Sequence, residues 1–216
     1  PDLKETMISS KVSGNSRAFS FNQASEMEMN IYGNIINIGN LSPRGFISPI
    51  SPGAMVYYDY RFDGSYLENG FWVNRVEIIP KRKSDPVFSG FIYIQNDTWR
   101  VQAFDLMLTK EAQIQFVDTL HINQIYIPTN ADGKNWMPGS VTYNFSFGVF
   151  GFAGNGRFVA AYSDYDMNPS FDKKHFNGEV LKIEKGSNEK DSAYWNTIRP
   201  VPLTEEEEKD YTVRDS

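Results

Sequence analysis

The stretch that most constrains the fold is residues 88–116, where two apolar runs lie on either side of a polar turn. Residues 88–94 are aromatic and β-branched, residues 95–98 are Gln-Asn-Asp-Thr, and residues 99–108 are apolar again. Two such runs joined by a short polar turn predict a long β-hairpin. Residues 112–127 predict a third strand beside the second one. The stretch therefore predicts an antiparallel meander, and one face of this sheet needs a cover.

Strand patterns with turn residues between them continue on both sides of this stretch. Further strands are predicted over residues 55–62, 71–79, 136–150, 157–162 and 176–183, with turns at Asp63-Gly64, Glu68-Asn69-Gly70 and residues 130–133. Apolar and polar residues alternate cleanly over residues 141–147, which indicates one buried and one wet face. Together these patterns predict a mainly β fold, in which a curved antiparallel sheet or half-barrel packs against one or two helices.

Three regions follow from the distribution of these patterns. Residues 1–53 form an N-terminal arm whose most helical piece is residues 22–32, with Met27 and Ile31 on one face. Residues 54–184 form the curved sheet domain. Residues 185–216 form a linker and the start of a C-terminal helix, because Thr204 and the glutamates after it have the spacing of a capping box. We expect this chain to be a segment of a longer protein.

Composition excludes several classes of function. The net charge of −6 is unsuited to nucleic acid as the main partner, because binding phosphates requires a basic surface. The chain has no cysteine, so disulfides and thiolate chemistry are excluded. Aromatic residues make up 15% of the chain, which favours a sheet with a thick aromatic layer.

The sequence contains few groups suited to catalysis or metal binding. His121 lies in a strand pattern that places it with Thr119 and Asn123 on the wetter face, and His175 lies in a loop. No motif that pairs a nucleophile with a base is present, so we expect no enzyme activity and assign no catalytic residue. Residues 164–168 have the oxygen spacing that begins a calcium loop, but a capped turn accounts for them better. We expect no metal and no cofactor.

The glycines of residues 151–156 resemble a phosphate-binding loop only superficially. Such a loop requires a following helix whose N-terminus faces the phosphate, whereas the residues after Gly156 have the pattern of a strand. A β-corner is therefore the better interpretation.

The excess of aromatic residues is the remaining functional candidate. A concave apolar surface could bind a lipid or an apolar peptide, because ligand sites are mostly hydrophobic with few polar groups. The residues predicted to line it are Phe91, Tyr93, Phe104, Leu106, Phe116, Phe145 and Phe147. The other interpretation is that these residues are ordinary core beneath a covering helix, and the sequence leaves both open.

Several strings in the chain resemble an uncharacterised family of outer-membrane proteins from Bacteroidetes. The strings are residues 86–94, Trp99-Arg100, residues 105–110, Gln113-Ile114 and residues 194–204. The last string is the most specific, and its signature residues are Trp195, Arg199, Pro200, Pro202, Leu203 and Thr204. The resemblance assigns no role to these six residues.

This resemblance implies a setting for the chain. Members of the family have an N-terminal carboxypeptidase-regulatory-like domain and a C-terminal membrane β-barrel, and this chain is similar to the periplasmic region between them. The sheet pattern is also similar to the half-barrel of periplasmic lipoprotein carriers.

Together with the missing active-site motifs, the lack of cysteine and the acidic balance, this setting predicts a non-catalytic interaction domain on the periplasmic face of the bacterial outer membrane, with another envelope protein as its partner. It implies contact with the membrane only through the β-barrel, which lies outside this chain. The alternative is a binding module for a lipid or a lipidated peptide in the concave face of the sheet.

Overall fold

Seven consecutive strands form one antiparallel sheet in the computed structural model, which describes residues 4–8, 27–130, 133–149, 152–172, 174–176, 181–191 and 193–194. The strands of the chain are β1 Glu5–Met7, β2 Ile35–Ile36, β3 Phe46–Ile47, β4 Tyr58–Glu68, β5 Phe71–Pro80, β6 Ser89–Gln95, β7 Val101–Thr109, β8 Thr119–Pro128, β9 Trp136–Val149, β10 Phe152–Ala161 and β11 Leu181–Ile183. Strands β4 to β10 follow one another in the sheet in chain order, so every connection between neighbours is a hairpin. The structure confirms a mainly β fold with a curved antiparallel sheet that stays open, as in a half-barrel.

The chain divides into two units, each described by itself. One unit is Ala18–Tyr165 and contains β2 to β10. The other combines Pro1–Arg17 with Asp166–Ser216, and in it β1 and β11 pair in parallel. In the described parts of the chain, no helix has both the length and the apolar composition that crossing a bilayer requires.

Alternation along the strands separates an inner face from an outer face of the seven-stranded sheet. In β8, Leu120 and Ile122 are fully buried, whereas Thr119, His121 and Asn123 are half-buried on the other side. We call the side that carries Leu120 and Ile122 the inner face. The placement of His121 on the wetter face, predicted from the sequence, is confirmed.

The inner face is covered by residues 27–47, which we call the covering segment. Its buried side chains belong to the same hydrophobic core as those of the sheet: Met27, Met29, Ile31, Ile36, Ile38, Leu41, Phe46 and Ile47. The ring of Phe46 lies 5.6 Å from that of Phe88, and the carbonyl of Leu41 accepts a hydrogen bond from the amide of Gln115 at 2.9 Å.

The covering segment is not the helix that the sequence predicted over residues 22–32. Residues 22–26 lie outside the described residues, and residues 27–32 form no α-helix. Met27, Met29 and Ile31 are buried, while Glu28 and Asn30 between them are exposed. Positions i and i+4 share a face in a helix and also in an extended chain, so the pair Met27 and Ile31 fitted both. Apolar residues recur at every second position when Met29 is included, and this period of two indicates an extended chain.

An extended segment that pairs with no neighbouring strand needs other hydrogen-bond donors for its buried carbonyl groups. The Tyr143 hydroxyl donates to the Met27 carbonyl at 2.7 Å, and Gln124 Nε2 donates to the Met29 carbonyl at 3.1 Å. The Ser48 hydroxyl donates to the carbonyl of Ile31. Polar side chains within the core therefore bind the segment through its backbone carbonyl groups.

Two predicted boundaries are wrong. Asp63-Gly64 is not a turn but a bulge inside β4, because the pairing with β5 resumes at Ser65. The strand predicted over residues 112–127 begins only at Thr119, because residues 110–112 form a 3₁₀ turn and Gln113 and Phe116 have φ values of 60° and 68°. The turn at Glu68-Asn69-Gly70 is confirmed, with φ values of 48° and 85° at Asn69 and Gly70.

Two glycines of the predicted β-corner instead lie within β10. Gly154 and Gly156 pair with Phe147 and Phe145 of β9. A Cβ atom at Gly156 would lie 2.2 Å from Cζ of the Phe145 ring. These glycines therefore leave room for aromatic rings, and the chain after them is a strand, as predicted, and not the helix of a phosphate site.

Candidate functional site

The seven aromatic and aliphatic residues predicted to bind a ligand do not share one surface. Phe104, Leu106 and Phe145 lie on the inner face and are buried in the core that includes the covering segment. Phe147 is half-buried beside Phe145, with the ring centroids 6.3 Å apart. An apolar ligand at these positions would require the covering segment to leave the inner face.

The other three residues lie elsewhere. Phe91 and Tyr93 alternate with the buried Ile92, so they lie on the outer face. The guanidinium of Arg75 lies 3.7 Å from the centre of the Phe91 ring and covers one side of it. Phe116 is exposed in the loop before β8. The structure therefore brings some of the predicted residues together, but as core.

The outer face carries a polar surface around His121. Nε2 of His121 is in hydrogen-bond contact with Oδ1 of Asp105 on the neighbouring strand. In register, His121 pairs with Met107 on one side and Asn144 on the other. Neither of these two paired neighbours carries a hydroxyl or a thiol.

A capped turn is present at residues 166–168. The carboxylate of Asp166 accepts a hydrogen bond from the backbone amide of Asn168 at 2.9 Å. This is an Asx turn, which uses the aspartate oxygen within its own loop.

Among the described residues of the sheet, the hairpin of β4 and β5 carries most of the exposed large hydrophobic side chains. Its inner-face side chains Phe62, Leu67 and Trp72 are 65%, 62% and 55% exposed, and Tyr60 is 38% exposed. Leu67 and Trp72 are directly paired across the hairpin. We call these four residues the edge patch. It lies on the inner side of the sheet but at the end of the strand order.

The opposite face of the same hairpin is ionic and internally neutralised. Arg61 is ion-paired with Glu77, Asp63 with Arg75 at 3.0 Å, and Asp59 with Lys81 at 3.5 Å. The first two pairs join β4 to β5, and Lys81 directly follows β5. The hairpin therefore carries the edge patch on one face, and the three ion pairs together with Tyr66 on the other.

Tyr60 connects the edge patch to the chain that precedes β4. Its hydroxyl donates to the carbonyl of Pro49 at 2.8 Å, and burial raises the pKa of this hydroxyl above its usual value. The bond fixes the beginning of β4.

The sequence held a signal for this hairpin that the prediction did not use. Tyr58, Tyr60 and Phe62 alternate strictly with Asp59, Arg61 and Asp63. The alternation marks a strand with two different faces, but interpreting Asp63-Gly64 as a turn ended that strand early. The length of β4, and with it the edge of the sheet, was therefore missed.

The signature residues Trp195, Arg199, Pro200, Pro202, Leu203 and Thr204 lie outside the described residues, as does the predicted start of a C-terminal helix.

The fold and this site define a class: a β domain with an open antiparallel sheet, an inner face filled by its own chain and an amphipathic hairpin at one edge. The chain belongs to DUF5686, a family of unknown function, whose family model matches residues 1–165. The string at residues 194–204 lies beyond this match. No curated protein and no solved structure matches the chain.

Proposed function

We propose that this chain is a non-catalytic interaction domain of a bacterial outer-membrane protein, placed in the periplasm, where it binds another envelope protein. The observation that carries the proposal is the edge patch of Tyr60, Phe62, Leu67 and Trp72. Tryptophan and tyrosine side chains provide much of the binding energy at protein interfaces. The periplasmic setting is supported by the resemblance of the sequence strings to outer-membrane proteins.

The contrast with the core supports this role for the patch. The inner face over β7 and β8 is fully packed, since Phe104, Leu106 and Ile122 are each fully buried. The patch lies on the same side of the sheet but outside this packing. Burying Phe62 and Trp72 against a partner would contribute about 25 cal/mol per Å² of apolar surface removed from water. A group of exposed large apolar side chains on one face typically marks an interaction site.

Photo-crosslinking in cells tests the proposal. A photoreactive amino acid replaces Phe62 in the full-length protein, and cross-linked products are separated and identified by mass spectrometry. The matched control places the same amino acid at Asn144, which is exposed on the outer face of β9. We expect one discrete adduct with an envelope protein from position 62. The purified partner should then bind the domain saturably.

Two results would overturn the proposal. One is the same set of diffuse adducts from positions 62 and 144, which would show only random collisions. The other is a discrete adduct whose purified partner binds Phe62→Ser as tightly as the unchanged protein.

A further inference from the structure

Strand β4 is an edge strand, and the direction of its free backbone groups follows from its pairing. Among the described residues, β4 pairs only with β5. The amide of Lys81 donates to the carbonyl of Tyr57 at 2.8 Å, in the same register that pairs Tyr58 with Pro80. Hydrogen-bonded pairs alternate along an antiparallel ladder. Asp59 and Arg61 therefore bond to β5, whereas Tyr60 and Phe62 direct their N–H and C=O groups away from it.

The second half of β4, after the bulge, presents its edge in the same way. The connection Asn69-Gly70 is a two-residue turn with positive φ at both positions, so Glu68 and Phe71 form the closing hydrogen-bonded pair. By alternation, the backbone of Leu67 points away from β5. The residues with free backbone groups are thus the ones whose apolar side chains form the edge patch.

The two faces of β4 specify the kind of segment that could pair with it. Side chains of an added strand that lie beside Phe62 and Leu67 meet apolar surface. Those on the other face lie beside Asp59, Arg61 and Asp63, whose charges are already balanced by Glu77 and Arg75 of β5 and by Lys81 directly after it. The complement is an extended segment with apolar residues on one face and uncharged polar residues on the other.

The bulge at Asp63-Gly64 limits what else could pair here. Gly64 has a φ of 114°, and the register between the two strands shifts at this point. Bulges twist an edge and discourage indiscriminate strand pairing. A partner must therefore pair with two short parts of β4, one before and one after the bulge. A regular edge strand would not impose this requirement.

We propose that the partner binds by adding an extended segment of its chain to the free edge of β4, so that the sheet gains one strand. This inference rests on the proposed function and specifies the recognition mode. Main-chain hydrogen bonds from Tyr60 and Phe62 supply affinity, and the edge patch selects the apolar side chains. Because the facing charges are neutralised, binding changes little with salt.

Amide hydrogen exchange with a defined probe tests the mode. The probe is a lysine-flanked synthetic peptide in which valine and threonine alternate, and the control peptide is N-methylated at the valines. We expect the probe to protect the amides of Tyr60 and Phe62 and to leave those of Asp59 and Arg61, which are already bonded to β5, unchanged. The control peptide should protect none of them.

A proline variant separates the backbone from the side chain. Phe62→Pro removes an N–H that points away from β5, so the internal ladder is kept, and proline is tolerated on such an edge. Phe62→Val keeps the N–H. We expect Phe62→Pro to bind the probe about two- to tenfold more weakly than Phe62→Val, because one main-chain hydrogen bond is lost. Native unfolding midpoints confirm that both variants fold.

The possible outcomes distinguish a failure of the strand-addition proposal from a failure of the proposed function. Protection without the alternating pattern, or equal binding by the proline and valine variants, overturns strand addition while an adduct at position 62 still supports an interaction domain. Alternating amide protection along β4 without any cross-linked adduct in cells overturns the proposed function, because no envelope partner then binds the domain. Protection of Tyr60 and Phe62 that rises with protein concentration alone would assign the edge to a second copy and overturn the proposal.

Discussion

The hydroxyl of Tyr143 in β9 donates a hydrogen bond of 2.7 Å to the backbone carbonyl of Met27, a residue 116 positions earlier in the chain. This bond, with that from Gln124 to Met29, ties the covering segment to the inner face of the sheet. Buried side chains of the sheet thus satisfy carbonyls that a helix would have satisfied internally. The covering segment thus fills the inner face over the central strands, while the edge patch stays exposed.

Replacing Tyr143 by phenylalanine removes one of these bonds with little change in volume. We expect the free energy of unfolding to fall by about 1–3 kcal/mol, because the buried Met27 carbonyl loses a donor. Urea denaturation measures the change. Tyr165→Phe is the matched control, since its hydroxyl also donates to a carbonyl, that of Pro138, but from a more exposed site. Equal losses in both variants would contradict the special role of Tyr143.

A methyl group at Gly156 should disrupt the packing of β9 on β10. The new Cβ would lie 2.2 Å from the Phe145 ring, which is buried and stacked on Phe158 at 5.6 Å. The ring cannot move without disturbing that stack, so Gly156→Ala should cost about 1–3 kcal/mol. Thermal unfolding measures it. Gly53→Ala is the control, because its added Cβ meets nothing within 4 Å; a loss of equal size there would refute the packing argument.

Stability should decline in alkaline solution because of buried tyrosines. Burial raises the pKa of Tyr58, Tyr126 and Tyr143 above the ordinary value of 10.0. Above pH 10 the unfolded chain loses these protons while the folded chain keeps them, so unfolding becomes more favourable. The contribution is fully present below pH 10 and is lost as pH rises towards the folded pKa. Urea midpoints between pH ~9 and ~11 measure the slope, which Tyr58→Phe should reduce; an unchanged slope would contradict the assignment.

The filled inner face predicts how the protein treats an apolar ligand. A fluorescent fatty acid should show no saturable uptake, because the covering segment already contacts the surface around Phe104 and Leu106. Fluorescence titration of the native protein measures this. Weak binding that disappears in Phe62→Ser would locate the probe on the edge patch. Saturable binding that Phe62→Ser leaves unchanged would favour a ligand beneath the covering segment and contradict this prediction.

Much of the sheet could be predicted from local pattern. The alternation of Leu120 and Ile122 with Thr119, His121 and Asn123 identified the buried side of β8, because side chains of a strand point to opposite faces in turn. The Asn69-Gly70 turn was found because both positions need positive φ, which these residues adopt at low cost. Such features depend on neighbours in the sequence.

The candidate site depended on information that local pattern lacks. Phe62 and Phe104 are both aromatic residues in alternating strands, yet one is 65% exposed and the other is fully buried. The difference arises from strand order, since Phe62 lies on the edge strand and Phe104 near the centre. The aromatic side chain itself does not distinguish the edge position from the central one.

The sequence by itself determined the class of fold and the direction of most side chains in the central strands. Only the tertiary structure decided what covers the sheet and what is left exposed. Met27 and Ile31 have a spacing compatible with helix or strand, and contact with Tyr143 and Gln124, far away in the chain, selects the extended form. Hydrophobic burial is non-directional, so which apolar surfaces meet is settled by the path of the whole chain.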